Sequence, residues 1–174
     1  MRIRQMHTED IDPIVAGFAA LGWSRTRGQY LRYLTEQRAG RRTALVADSA
    51  PGTGGGTDRT VTGYLTVVWQ PRYPPFRAAG IPEIRDLNVF GPFRRRGIAS
   101  ALLDEAEKLA AERTDTVGIG FGLTADYGTA QRLYVRRGYV PDGNGVQHDG
   151  APIPPGTTIR IDDSVHLMLI KRLR

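Results

Sequence analysis

The stretch from Arg94 to Leu123 restricts the possible folds more than any other part of the chain. Ile98, Ala99, Leu102, Leu103, Ala106, Leu109 and Ala110 recur at the spacing of one helix face, which predicts a helix over Arg94 to Arg113 with Gly97 at its start. Val117, Ile119, Phe121 and Leu123 then alternate with Gly118, Gly120 and Gly122. That is the period of a strand with side chains on one face and bare backbone on the other, so something must approach the bare face closely. The Gly-Ile-Gly-Phe-Gly run lies inside the strand and not at a turn into a helix, so it is not a dinucleotide fingerprint.

Similar reasoning orders the rest of the chain. Ile3 marks a short first strand, and Thr8 is expected to cap a helix that carries Ile11, Ile14, Val15 and Phe18 on one face and ends near Gly22. A second helix is predicted from Thr26 to Ala39, with Tyr30, Leu31 and Leu34 facing inward and Gly40 as its stop. Thr43 to Asp48 and Val61 to Trp69 read as strands joined by the glycine-rich loop Pro51 to Gly56, which has nothing to bury. No Gly-Lys-Ser/Thr follows that loop, so it is not a phosphate loop. Pro71 to Pro82 is a proline-rich connection into a strand over Glu83 to Phe90. A helix over Gly128 to Arg137 closes at Gly138, Asp142 to Asp163 is a long polar loop, and Val165 to Ile170 is the last strand. Strands alternating with helices predict a mixed α/β sheet of about seven strands with about four helices, in a single domain over residues 1–174.

Composition narrows the chemistry. The chain has 174 residues and no cysteine, which excludes an acyl-cysteine intermediate, a thiolate metal site or a redox pair. His7, His148 and His166 share no metal-ligand spacing, and no metal is assigned. No apolar run is long enough to span a bilayer, and Met1 to Met6 lacks the apolar core of a signal peptide, so a cytoplasmic protein without a membrane partner is expected. A net charge of +6 favours a polyanionic partner, which could be nucleic acid, an acidic protein surface or a phosphate-rich cofactor, and charge alone does not choose among these.

The junction Leu87-Asn88-Val89-Phe90-Gly91-Pro92-Phe93-Arg94-Arg95-Arg96-Gly97-Ile98-Ala99-Ser100 takes a strand through a basic turn into an amphipathic helix. A helix start leaves its first amides unpaired and carries the positive end of the dipole, so a diphosphate there gains several charge-assisted hydrogen bonds. Each contributes about 1.5 to 3 kcal/mol. Gly97 lets backbone approach phosphate, Ala99 leaves room and three arginines add positive charge, which together make an anion site.

Arg94-x-x-Gly97-x-Ala99 resembles the Gln/Arg-x-x-Gly-x-Gly/Ala signature of the GNAT family of N-acetyltransferases. Downstream, Ala130-x-x-Leu133-Tyr134-x-x-x-Gly138-Tyr139 resembles the Ala-x-x-Leu-Tyr-x-x-x-Gly-Phe segment of the same family. The resemblance is specific over Glu83 to Val140. It implies a GNAT-like fold in which the fourth and fifth strands splay apart and acetyl-CoA inserts between them as co-substrate. It further implies cofactor contacts at Leu87, Asn88 and Val89, pyrophosphate binding by the amides of Arg95, Arg96, Gly97, Ile98, Ala99 and Ser100 at the motif that Arg94 opens, and further contacts at Thr124, Asp126, Gly128, Ala130 and Leu133. Many members carry Asn near the position of Tyr127, so this chain departs from the pattern there.

Acetyl transfer needs a neutral amine, whereas alkylamines are mostly protonated at neutral pH, so a base or a water chain is wanted. Glu83 and Asp86 are candidates by position. Strict alternation puts them on opposite faces, so one of them reaches the acceptor, and Asp86 is favoured; each could instead pair with one of the arginines. Tyr134 resembles the family's tyrosine acid, which would protonate the departing thiolate. The expected reaction is direct transfer to a primary amine, on a small molecule or a peptide, through a tetrahedral intermediate. Trp23, Tyr30, Trp69, Tyr73 and Phe76 lie in segments that flank the acceptor pocket in the family, and Asp142, Asp149, Asp162 and Asp163 make the late loop acidic. Two other readings compete: a catalytically silent acyl-CoA sensor or interaction domain, and a nucleic-acid-binding module. Asp104, Glu105 and Glu107 on the helix after the arginines argue against nucleic acid as a partner. A homodimer is compatible with the sequence.

Overall fold

The computed structural model describes residues 1–49 and 60–174, so the loop Pro51 to Gly56 lies outside the described residues. Two compact units make up the chain, Met1–Trp69 with Arg85–Leu109 and Gln70–Ile84 with Ala110–Arg174. The boundary falls within one strand, β4 (Glu83–Val89), whose first two residues belong to the second unit and whose remainder belongs to the first.

In the first unit β1 (Arg2–Gln5), β2 (Arg42–Asp48), β3 (Val61–Val68) and the rest of β4 follow in that order in the sheet. Helices α1 (Ile11–Ala19) and α2 (Arg27–Arg38) supply apolar faces that join Met6, Ala44, Val46, Val61, Tyr64 and Phe90 in one core. Burying each of the largest of these side chains, such as Phe18 and Ile14, stabilises the fold by about 1.5–3 kcal/mol. Two expectations change here. A 3₁₀ turn, Thr8–Asp10, precedes α1 and is capped at His7, whose backbone N–H donates to Asp10 Oδ2 at 2.7 Å, so Thr8 is not the cap. On α2 the inward residues are Tyr30, Tyr33 and Leu34, whereas Leu31 is exposed, because the buried stripe runs one position further round the helix. Gly40, at φ 68°, is the stop that the sequence predicts.

Helix α4 is Ile98–Ala111, four residues shorter at its start than the periodicity suggests. Arg95 and Gly97 take left-handed φ values of 62° and 78°, so the arginines occupy the turn ahead of the helix.

In the second unit the start of β4 pairs in parallel with β5 (Thr116–Gly122) through Glu83↔Gly118 and Ile84↔Ile119. β5 pairs antiparallel with β8 (Val165–Arg172), which continues to β6 (Val140–His148) and β7 (Ala151–Pro152). The Pro71 to Pro82 connection contains a short helix, α3 (Pro74–Ala78), in which Pro74 opens the first turn, where its missing N–H costs nothing. The last helix is α5 (Gly128–Arg136). The polar loop expected over Asp142 to Asp163 is instead mostly strand up to Pro152. Val146, Gln147 and His148 pair with Leu167, His166 and Val165 beyond a register shift after Pro141, and this hairpin adds the eighth strand.

The bare face of β5 is covered by the protein itself. A Cβ on Gly118 would collide with the Phe76 ring, one on Gly120 would sit 2.8 Å from Met168 Sδ, and one on Gly122 would sit 2.5 Å from the Tyr127 ring. Gly118→Ala is therefore expected to lower the unfolding free energy by about 1–3 kcal/mol, the usual cost of overpacking, as read by denaturant titration. An unchanged midpoint would mean that Phe76 yields freely.

Candidate active site

In the first unit the site is built on the second half of β4 and the turn after it. Asp86 has φ 57°, a left-handed conformation that costs a non-glycine residue about 1–2 kcal/mol and that Asp tolerates better than most. This kink breaks the strict alternation on which the opposite-face assignment of Glu83 and Asp86 depends. The Asp86 carboxylate is 31% exposed and accepts a hydrogen bond at Oδ2 from the Tyr33 hydroxyl at 2.8 Å. Arg42 Nη1 lies 3.9 Å from the same oxygen, while its own bonds go to Glu36 Oε2 at 2.6 Å and Thr66 Oγ1 at 2.7 Å. Asn88 donates through Nδ2 to the Asp86 carbonyl at 2.9 Å and reaches the Tyr64 hydroxyl at 3.4 Å. Burial, followed by the nearby Asp86 charge, raises the Tyr33 and Tyr64 phenols well above the ordinary tyrosine range, so both remain neutral donors.

Leu87, Asn88 and Val89 are half-buried along the same strand. A 3₁₀ turn, Gly91–Phe93, then leads to Arg94, whose Nε donates back to the Val89 carbonyl at 3.1 Å. Arg94, Arg95 and Arg96 are exposed. The Ala101 amide bonds the Gly97 carbonyl at 3.0 Å, so the amides of Ile98, Ala99 and Ser100 precede the first intrahelical bond. An apolar cavity of about 390 Å³, lined by Gly17, Leu21, Val61, Phe90 and Phe93 among others, contains none of the residues expected from sequence.

The second unit holds the remaining candidates. Glu83 is 5% exposed and lies opposite Gly118 in the parallel ladder. At the end of β5 the Thr124 hydroxyl donates to the Asp126 carboxylate. The Gln131 side chain, which the sequence did not single out, donates to the Gly122 carbonyl at 3.1 Å and ties α5 to that strand end. Ala130 and Leu133 are half-buried, and Tyr134 is 5% exposed with its ring 6.5 Å from Phe121 and 6.0 Å from Tyr139. Burial, and secondarily Tyr127, push the Tyr134 phenol above the ordinary range, and its hydroxyl has no hydrogen bond among the described residues. Tyr127 itself covers Gly122 and donates to Asp163 Oδ1 at 3.1 Å.

Of the aromatics expected near an acceptor, Tyr30 and Phe76 are core, and the Tyr73 hydroxyl is bonded to Asp142 Oδ2 at 2.8 Å. Trp69 donates to Thr43, and Trp23 is exposed. Tyr33 is the residue that the sequence reading passed over; its spacing of three from Tyr30 was the available signal. Among the described residues no cluster of metal-ligating side chains occurs, and no helix is long and apolar enough to cross a membrane.

The sequence model of the acetyltransferase (GNAT) family matches residues 16–139. The chain belongs to this family. Acetyl-CoA is thereby its cofactor, and the arginine turn lies within the matched region of this GNAT protein. No curated protein sequence matches significantly. Solved structures agree in fold. An N-acetyltransferase from Staphylococcus aureus Mu50 is 17% identical, with 99% of this chain and 98% of that one covered at a TM-score of 0.69. The ribosomal-protein-alanine N-acetyltransferase of Brucella melitensis is 19% identical over 99% of each chain, at 0.68. The yncA protein of Salmonella typhimurium, solved with its cofactor acetyl-CoA, is 17% identical over 99% of this chain and 94% of that one, at 0.67.

Proposed function

We propose that this GNAT protein moves the acetyl group of acetyl-CoA directly onto a primary amine, without an acyl-enzyme. The observation that carries the reading is the β4-to-α4 turn, where left-handed Arg95 and Gly97 precede a helix start with free amides and three exposed arginines. Amides from Arg95 to Ser100 hold the pyrophosphate, with Arg94 and Arg96 adding charge, and the backbone of Leu87, Asn88 and Val89 meets the pantetheine. Thr124, Asp126, Gly128, Ala130 and Leu133 supply the cofactor contacts of the second unit.

The amine nitrogen attacks the thioester carbonyl carbon and forms the C–N bond. The tetrahedral intermediate then collapses, the C–S bond breaks, and the thiolate takes a proton from Tyr134. Asp86, rather than the buried Glu83, takes the proton that the amine loses, because its carboxylate is partly exposed and Oδ1 has no partner among the described residues. The chain has no cysteine to carry an acetyl group.

Intact-mass analysis tests the direct route. Protein mixed with acetyl-CoA alone should keep its mass, and adding the amine should give acetylated amine and free coenzyme A in equal amounts. An acetyl-protein adduct that discharges when the amine is added would contradict direct transfer.

A further inference from the structure

We propose that Tyr33, oriented by Gln29, is the positioning residue that fixes the Asp86 carboxylate with Oδ1 free for the acceptor's proton. This rests on the assignment of Asp86 as the base. A carboxylate on a strained, partly exposed residue can turn about its side-chain bonds, and each alternative orientation removes the base from the line of proton transfer. Tyr33 limits that freedom through its 2.8 Å bond to Oδ2.

The orientation of the hydroxyl is determined in turn. Gln29 Nε2 donates to the Tyr33 oxygen at 2.8 Å, so the tyrosine's own proton points at Asp86. The Arg42 guanidinium stacks 4.1 Å from the centre of the Tyr33 ring and is itself held by Glu36 and Thr66, which fixes the ring. Tyr33 is buried, and the neighbouring carboxylate helps to keep its phenol protonated, so the donor persists across the pH range in which an acetyltransferase would be assayed. The Tyr33 bond and the more distant Arg42 are the only partners of the Asp86 carboxylate among the described residues, so the whole constraint falls on one oxygen.

A double-mutant cycle on steady-state kinetics tests this. Tyr33→Phe, which keeps the ring over Arg42, should lower kcat about tenfold with little change in the acceptor KM or in acetyl-CoA affinity. Asp86→Asn should lower kcat by about a hundredfold, and in that background Tyr33→Phe should cost less than about twofold. Gln29→Leu leaves the ring untouched and should show a smaller loss that also disappears with Asp86→Asn, which keeps the test valid if Tyr33→Phe folds poorly. Equal losses from Tyr33→Phe in both backgrounds, or no loss in the native one, would overturn the positioning role and leave Asp86 as the base. A small effect of Asp86→Asn itself would remove the base assignment and this inference together.

Discussion

Tyr134→Phe is expected to lower kcat by about 10²–10³-fold while acetyl-CoA binds within about twofold of the native affinity. A loss of that size corresponds to about 2.7–4 kcal/mol of transition-state stabilisation. Only the hydroxyl is removed, and it has no hydrogen bond among the described residues, so folding has little to lose by its deletion. The ring keeps its contacts with Phe121 and Tyr139. Because burial raises the phenol, Tyr134 should stay protonated as pH passes about 10, the ordinary tyrosine value, and the native rate should show no decline there from loss of this proton. Stopped-time assays of thiol release at saturating acceptor read both effects. Native-like turnover by the phenylalanine variant would exclude Tyr134 as the acid.

Arg4→Leu is expected to reduce stability by about 3–5 kcal/mol, the cost of removing one partner from a buried charge network. Arg4 reaches Asp10 through two nitrogens at 2.6 and 2.7 Å and Asp48 through Nε at 2.8 Å. Asp10 is 3% exposed and Asp48 1%, so without Arg4 two carboxylates would remain in a poorly solvated site. The His7 amide would still serve Asp10, which keeps the loss below that of a bare buried charge. Urea unfolding at neutral pH measures the effect. A change under about 1 kcal/mol would mean that water reaches both carboxylates once the arginine is gone.

Much of the fold was legible in the sequence because its strongest patterns coincide with its strongest packing. The apolar face of α4 and the glycine alternation of β5 were both readable, and the bare face of β5 is occupied by Phe76, Met168 and Tyr127. What stayed hidden has physical causes. Arginine is a good helix former, so nothing in Arg94 to Arg96 announced that Arg95 would take a left-handed φ and delay α4. Asp86 likewise gives no sign of its positive φ, a departure from the regular strand geometry that the alternation argument assumes. β6 lies beside the two-residue β7 near the sheet edge and carries Asp142, Gly143, Asn144 and Gly145 across its register shift, so its alternation is interrupted where a pattern would have shown it. The basic turn was readable because it lies next to a strong helix pattern, whereas the spacing of Tyr30 and Tyr33 signals only a shared helix face and not the bond from Tyr33 to Asp86, on a strand about fifty residues away, or the Gln29 bond within α2 that orients it.

Acetyl-CoA-dependent transfer to an amine is tested most directly by free-thiol release from acetyl-CoA with separate panels of polyamines, aminoglycosides, amino acids and peptides. The protein has no cysteine and adds no thiol background of its own. The predicted result is acceptor-dependent thiol release with one panel, matched by acetylated amine and absent without acceptor. No release with any panel, together with no rise in melting temperature on adding acetyl-CoA, would contradict the account.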